Sequence, residues 1–91
     1  MDKNKLQYAI LKEIDKGNTP LNAEIFGISD NEFVNYVNSL MAKKLIVNVK
    51  IDFIPSLYEA EITSDGENYL NENSTRGKIY NTVKEIRDWI K

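Results

Sequence analysis

Residues 60–70 read Ala60-Glu61-Ile62-Thr63-Ser64-Asp65-Gly66-Glu67-Asn68-Tyr69-Leu70. The stretch opens with apolar and acidic side chains that alternate, and this period of two predicts a β-strand. A helix is then expected to begin at Thr63 or Ser64, because Ser64 and Glu67 have the spacing of a capping box. A strand that runs directly into a helix start is the reference point for the rest of the chain.

A second strand is predicted upstream of this junction, at about residues 45–53. Apolar side chains recur there at every second position, which is typical of a half-buried strand. The side chains expected to face inward are Leu45, Val47, Val49, Ile51 and Phe53. We expect a turn over residues 54–58 and a returning strand up to Thr63.

The first predicted helix covers about residues 4–16. Leu6, Ile10 and Ile14 form one stripe at helical spacing, which we expect to face the core. Tyr8 is predicted to point to the opposite side of this helix.

A helix-turn-helix is predicted at about residues 20–44. Thr19 is the expected N-cap of its short first helix, with Pro20 at the first helical position. Gly27 makes the turn. Ser29 and Glu32 then have the capping-box spacing that begins the longer second helix.

The last predicted helix covers about residues 75–90, and its apolar stripe consists of Ile79, Val83, Ile86 and Ile90. The element order is therefore three helices, two strands and two helices. That order is typical of a winged helix-turn-helix domain, an α+β fold in which a two- or three-stranded wing sheet follows three helices. We predict one such domain over residues 1–91, with the wing at about residues 45–63.

The composition argues against several classes of function. The chain has no cysteine and no histidine, which removes thiolate chemistry, the commonest metal ligand and the commonest general base. We therefore expect no enzyme activity, no metal and no cofactor. No apolar run approaches the roughly 20 residues of a membrane span, so we expect a cytoplasmic protein without membrane contact.

The predicted wing is unusually apolar around its turn. The side chains that we expect to contact a protein partner are Phe53, Ile54, Leu57 and Tyr58. A strand ladder can turn only about half of such a set inward, and exposed apolar patches mark contact sites. The sequence therefore predicts a non-catalytic interaction module whose wing binds an unknown protein or a second copy of the chain.

A DNA-binding transcriptional regulator is the alternative interpretation. Asn31, Asn35 and Asn38 share one face of the predicted third helix, and Asn can pair with adenine. The lysines that could approach phosphates are Lys43, Lys44 and Lys50. Residues 17–42 carry three acids and no Lys or Arg, and phosphate contacts need cations, so the charge layout disfavours this alternative.

The last helix offers a possible surface for a homodimer. Aromatic side chains widen its apolar stripe on both flanks, and the residues of this predicted dimer surface are Tyr80, Val83, Ile86, Trp89 and Ile90. Docking of the same stripe on its own domain is the simpler explanation.

Several segments also carry a family resemblance. They are Ile10-Leu11-Lys12, Phe26-Gly27-Ile28-Ser29, Ile62-Thr63-Ser64-Asp65-Gly66, Tyr69-Leu70-Asn71-Glu72-Asn73-Ser74, and Tyr80, Val83, Lys84 and Ile86. In these segments the chain resembles the YjcQ family, small proteins of bacteria and their phages. The resemblance implies a winged-helix-like fold and a phage or prophage setting. It implies no active site, because the family has no assigned chemistry.

Overall fold

The computed structural model describes residues 3–18, 21–51, 55–57, 59–73 and 85–89. Over these residues the chain has the predicted α+β class. The helices are α1 (Lys3–Asp15), α2 (Ala23–Phe26), α3 (Asp30–Ala42), α4 (Ser64–Glu72) and α5 (Ile86–Trp89). The strands are β1 (Ile46–Val47), β2 (Lys50–Ile51), β3 (Pro55–Ser56) and β4 (Glu61–Ile62).

Helix α1 forms one wall of the apolar core. Leu6, Ile10 and Ile14 are buried, as their spacing predicts. Tyr8 is also buried, at 1% exposure, so the prediction that it points away from the core is wrong. The reason is α4, which packs against α1 and lines a cavity together with Tyr8. The periodicity of a single helix does not reveal such a second neighbour.

Glu13 is a buried carboxylate near the end of α1 and is only 1% exposed. Its Oε1 accepts a hydrogen bond from Asn18 Nδ2 at 3.0 Å, and its Oε2 lies 3.6 Å from Lys16 Nζ. The backbone amide of Asn18 also donates to the Glu13 carbonyl at 2.9 Å. Buried charges are tolerated when they are paired and hydrogen-bonded, and these contacts fix the turn that leaves α1.

Helix α2 begins later than predicted. Asn22 Oδ1 accepts a hydrogen bond from the Ile25 amide at 3.1 Å, which makes Asn22 the N-cap and Ala23 the first helical residue. The predicted cap, Thr19-Pro20, lies outside the described residues. Gly27 ends the helix with φ of 71°, a left-handed conformation that glycine adopts without strain, and so makes the predicted turn.

Helix α3 begins with the predicted capping box. Ser29 Oγ accepts from the Glu32 amide at 3.2 Å, and Glu32 Oε1 accepts from the Ser29 amide at 3.4 Å. The helix ends at Ala42, before the predicted residue 44, with Lys43 as its C-cap.

A Schellman motif follows α3 and explains where the sheet begins. Lys44 has a left-handed backbone with φ of 61°, and its amide donates to the Met41 carbonyl at 2.9 Å. The Leu45 amide donates to the Leu40 carbonyl at 3.0 Å, which completes the motif. Leu45 therefore belongs to the exit from the helix and not to a strand.

The strand alternation begins one residue later as a consequence. Ile46 is 2% exposed and faces the core, whereas Val47 is 45% exposed. The prediction that Leu45 and Val47 share an inward face is therefore wrong at Val47.

The sheet consists of two short antiparallel pairs and not of one continuous hairpin. β1 pairs with β4, with Ile46 opposite Ile62, and β2 pairs with β3, with Lys50 opposite Ser56. Asn48, with φ of 63°, interrupts the first arm between β1 and β2.

The two arms of the hairpin are unequal, and this corrects the prediction for Leu57. On the first arm two residues, 48–49, separate β1 from β2. On the second arm four residues, 57–60, separate β3 from β4. The longer arm makes a turn in which the Ala60 amide donates to the Leu57 carbonyl at 3.1 Å. Leu57 is fully buried, so it belongs to the core and not to an exposed contact surface.

The junction between β4 and α4 is held by Thr63. Its Oγ1 donates to the Lys44 carbonyl at 2.6 Å and accepts from the Gly66 amide at 3.0 Å, and its own amide donates to the Leu45 carbonyl at 3.0 Å. Thr63 is thus the N-cap of α4. A Cβ at residue 66 would overlap the Leu45 carbonyl oxygen and the Ile62 side chain, so this close approach requires glycine.

Each described helix and the hairpin contribute to one apolar core. Its largest fully buried apolar side chains are Tyr8, Phe26, Phe33, Leu6, Ile10, Leu11, Leu40, Leu57, Ile86 and Val37. Phe26 and Phe33 stack with their ring centroids 6.1 Å apart. Helix α5 lies against α2 and places Ile86 in this core.

We expect Gly66→Ala to destabilise the protein, because the added methyl group meets a backbone carbonyl that cannot move without breaking the Thr63 hydrogen bonds. Overpacking of this kind costs about 1–3 kcal/mol, measurable by urea or thermal unfolding. Asn68→Ala is the matched control, an exposed position on the same helix where alanine should hold or slightly raise stability. Equal stability of Gly66→Ala and the parent protein would contradict the close contact.

Candidate functional site

The predicted wing contact is only partly within the described residues. Phe53, Ile54 and Tyr58 lie outside them, and Leu57 is buried in the core. Val47, which the sequence places inward, is instead the exposed large apolar side chain of the described residues.

The predicted dimer helix is described over α5 alone. Ile86 is fully buried against its own domain, which removes it from a dimer surface. Tyr80, Val83 and Ile90 lie outside the described residues, as does the side chain of Trp89.

The asparagine face of α3 is exposed. Asn31, Asn35 and Asn38 are all open to solvent and lie within one arc of the helix, as the helical period predicts. Asp30 and Glu32 are exposed in the first turn of the same helix. The face is therefore polar and uncharged along its length, with acidic groups at its amino-terminal end.

Two of the three lysines predicted near phosphates have partners within the domain. Lys43 Nζ donates to Gln7 Oε1 at 3.2 Å, and Lys50 Nζ lies 3.4 Å from Glu59 Oε2. Lys44 is exposed at the left-handed position after α3. The lysines thus lie at the carboxyl end of α3 and on β2, and they do not join the asparagines in one basic surface.

A groove of about 500 Å³ lies between α1 and α3. Its lining residues are Lys3, Asn4, Gln7, Glu32, Asn35, Tyr36, Ser39 and Lys43. The sequence predicted Asn35 and Lys43 as possible DNA contacts and Glu32 as a capping residue, but it predicted no groove. The available signal was the recurrence of polar residues at helical spacing on α1, but nothing in the sequence shows that this face meets α3.

The groove combines cations, neutral hydrogen-bonding groups and one carboxylate. Glu32 is held at the start of α3 by the capping box with Ser29. Burial raises the pKa of the Tyr36 hydroxyl above its ordinary value, and the negative charge of Glu32 raises this pKa further. Tyr36 therefore stays protonated near neutral pH and can donate a hydrogen bond within the groove.

Within the described part of the chain, the side chains of His, Cys, Asp and Glu form no group of three or more that could hold a metal ion. None of the helices that the structure describes is long and apolar enough to cross a membrane.

Comparison with known proteins identifies one family over almost the whole chain. Residues 4–89 match the family model of the YjcQ protein. The chain is 50% identical over 94 residues to the uncharacterized protein YjcQ of Bacillus subtilis (strain 168), with 100% of both chains covered. It is also similar to the solution NMR structure of that protein, with a TM-score of 0.69 and 45% identity, over 77% of this chain and 94% of the other.

We expect Tyr36 to lose its proton at a higher pH in the folded protein than in the unfolded chain. Because the folded pKa is the higher one, the contribution of Tyr36 to stability is complete below the unfolded pKa. It is lost as pH rises through the folded pKa. The difference between phenolate titrations of the parent protein and Tyr36→Phe gives this pKa.

Glu32→Gln keeps a side chain that can complete the capping box but removes the charge. It should lower the Tyr36 pKa part of the way, since burial, the larger cause, remains. A Tyr36 pKa at or below its ordinary value would contradict the described environment.

Proposed function

This chain belongs to the YjcQ family, and we propose that it is a non-catalytic winged-helix module that binds a protein through its wing, residues 46–62. The proposal includes the phage or prophage setting that the family resemblance implies. The exposure of Val47 is the observation that carries it.

Val47 lies on β1 and is 45% exposed. The chain between β2 and β3 adds Phe53 and Ile54 to the same hairpin, and Tyr58 follows β3. One exposed apolar residue is normal on a protein surface, but an apolar patch around it is typical of a contact surface, and the sequence supplies apolar residues close to Val47 for such a patch. With Leu57 assigned to the core, the proposed contact consists of Val47, Phe53, Ile54 and Tyr58.

The charges on the wing favour a protein over a nucleic acid. Lys50 is paired with Glu59, and Glu61 Oε2 accepts from Asn48 Nδ2 at 3.4 Å. Glu61 is exposed and lies opposite Val47 in the pairing of β1 with β4, so it presents negative charge beside Val47. A wing that follows a DNA groove would need the opposite sign of charge.

We expect Val47→Asp to fold normally and to lose protein association. Val47 is exposed and its carboxylate replacement would stay hydrated, whereas Leu57→Asp would bury an unpaired charge and unfold the domain. Thermal unfolding separates these two outcomes. Association is measured by sedimentation for a second copy, and by titration for a purified partner identified by affinity capture, with an expected loss of about tenfold.

Asn68→Asp is the matched control for this experiment. It adds the same charge at an exposed position on α4, away from the wing in sequence, and should leave association unchanged. Equal association of Val47→Asp, Asn68→Asp and the parent protein would contradict a wing contact.

Duplex DNA recognition by α3 remains a second candidate because Asn31, Asn35 and Asn38 are exposed on one face. Such a regulator would use Lys43, Lys44 and Lys50 for phosphates. We rank it lower because Lys50 is paired with Glu59 and because Asp30 and Glu32 lie where α3 would enter a groove.

We therefore expect weak or absent duplex binding near physiological salt. A DNA reader would instead lose affinity steeply as salt rises, since it releases counterions from each phosphate that it contacts. Fluorescence anisotropy across a salt series with mixed-sequence duplexes measures this slope. Sub-micromolar binding of one duplex that Asn35→Ala or Asn38→Ala abolishes would overturn our ranking of the two functions.

A further inference from the structure

We propose that the groove between α1 and α3 is a second binding site, which takes an extended peptide segment of a partner protein that carries one carboxylate side chain. The groove shares no residue with the wing. The site therefore goes beyond the wing contact proposed above and can be tested without it.

Lys43 provides the oriented cation of this site. Its Nζ reaches from the end of α3 to Gln7 on α1, where it donates to Oε1 at 3.2 Å. An ammonium group has three donors, and the bond to Gln7 holds the head group between the two helices while using one of them. The others can bind a carboxylate in the groove, and Lys3 adds a second positive charge to the lining. Hydrogen bonds between such charged partners are the strong ones.

The neutral side chains of the lining suit a peptide backbone. Gln7 and Asn35 carry amides, each of which can both donate and accept, as a peptide group does. Ser39 and the protonated Tyr36 add hydroxyl groups. Sites for drug-sized molecules have volumes of about 300–1,000 Å³ and contain only a few polar groups. Every residue that lines this groove carries a polar group, which fits a peptide segment better.

The surrounding charge limits the ligand to a single carboxylate. Glu32 lines the same groove, and Asp30 is exposed in the same turn of α3. A polyanion such as a nucleic acid strand would bring further negative charges toward these two carboxylates. One carboxylate placed at Lys43 avoids that repulsion.

A second cavity serves as an internal comparison. It has a volume of about 300 Å³ between α1 and α4, and its lining residues are Tyr8, Lys12, Asp15, Glu67, Leu70 and Asn71. Two carboxylates and one ammonium line it, so the same acidic peptide should not bind there. In an NMR titration, unchanged signals from the backbone amides of this second cavity would show that peptide binding is specific to the groove between α1 and α3.

The test is an NMR titration of the isotope-labelled protein with a short Gly/Ser peptide, acetylated and amidated, that carries one central Glu. We expect saturable shifts of the Gln7, Asn35 and Ser39 amide signals in the millimolar range, with the Glu67 and Asn71 signals unchanged. The same peptide with Gln in place of Glu should bind about tenfold more weakly, because it lacks the charge-assisted bond.

Lys43→Met should weaken binding of the Glu peptide about tenfold. Lys44→Met is the matched control, an adjacent exposed lysine that does not line the groove, and should bind like the parent protein. Asn35→Ala is a second variant at an exposed position, and it should weaken both peptides by a similar factor.

Three results of the peptide titrations would overturn the proposal. They are the absence of saturable groove shifts, equal binding of the Glu and Gln peptides, and equal losses in Lys43→Met and Lys44→Met. A larger groove response to mixed-sequence duplex DNA than to the peptide would assign the groove to nucleic acid and would also overturn it.

Discussion

The hydroxyl group of Thr63 is the point at which three parts of this fold are joined. It donates to the Lys44 carbonyl and accepts from the Gly66 amide, while the Thr63 amide donates to the Leu45 carbonyl. These bonds connect the end of α3, the start of β1 and the first turn of α4. They bring α4 so close to Leu45 that residue 66 has no room for a side chain. The position of α4 against α1, and with it the burial of Tyr8, follows from this junction.

The parts of the fold that depend on local contacts could be predicted from the sequence. The Ser29–Glu32 capping box and the Gly27 turn involve residues within a few positions of each other, and both are confirmed. The predictions that failed concern residues whose burial depends on backbone conformations that no sequence pattern indicates. Lys44 adopts a left-handed backbone that sequence patterns assign to glycine, and this shifts the strand alternation so that Val47 becomes exposed. Leu57 lies in the longer arm of the hairpin and is buried. Alternation with a period of two does not indicate that the arms differ in length.

The same distinction applies to the candidate site. The exposed asparagine face of α3 could be predicted because its members share one helix and one period. The groove could not, since Gln7 and Lys43 are distant in sequence and meet only after α1 and α3 have packed. Glu13 is a similar case. A glutamate at the end of a helix reads as a solvent-exposed charge, yet it is buried and holds Asn18. Long-range pairing thus decides which polar residues serve the fold and which remain available for recognition.

The difference between local and long-range contacts also decides what the charged residues indicate about function. The lysines at the carboxyl end of α3 and on β2 suggest a basic surface when they are counted in sequence. In the folded chain Lys50 lies beside Glu59, and the bond from Lys43 to Gln7 orients its ammonium group without neutralising it. Binding to a polyanion depends on the sum of many such charges. One oriented ammonium among neutral amides instead discriminates by hydrogen-bond geometry, which suits a single carboxylate. A protein partner can supply that carboxylate without placing further negative charge against Glu32, and for this reason we propose a protein and not a nucleic acid as the partner.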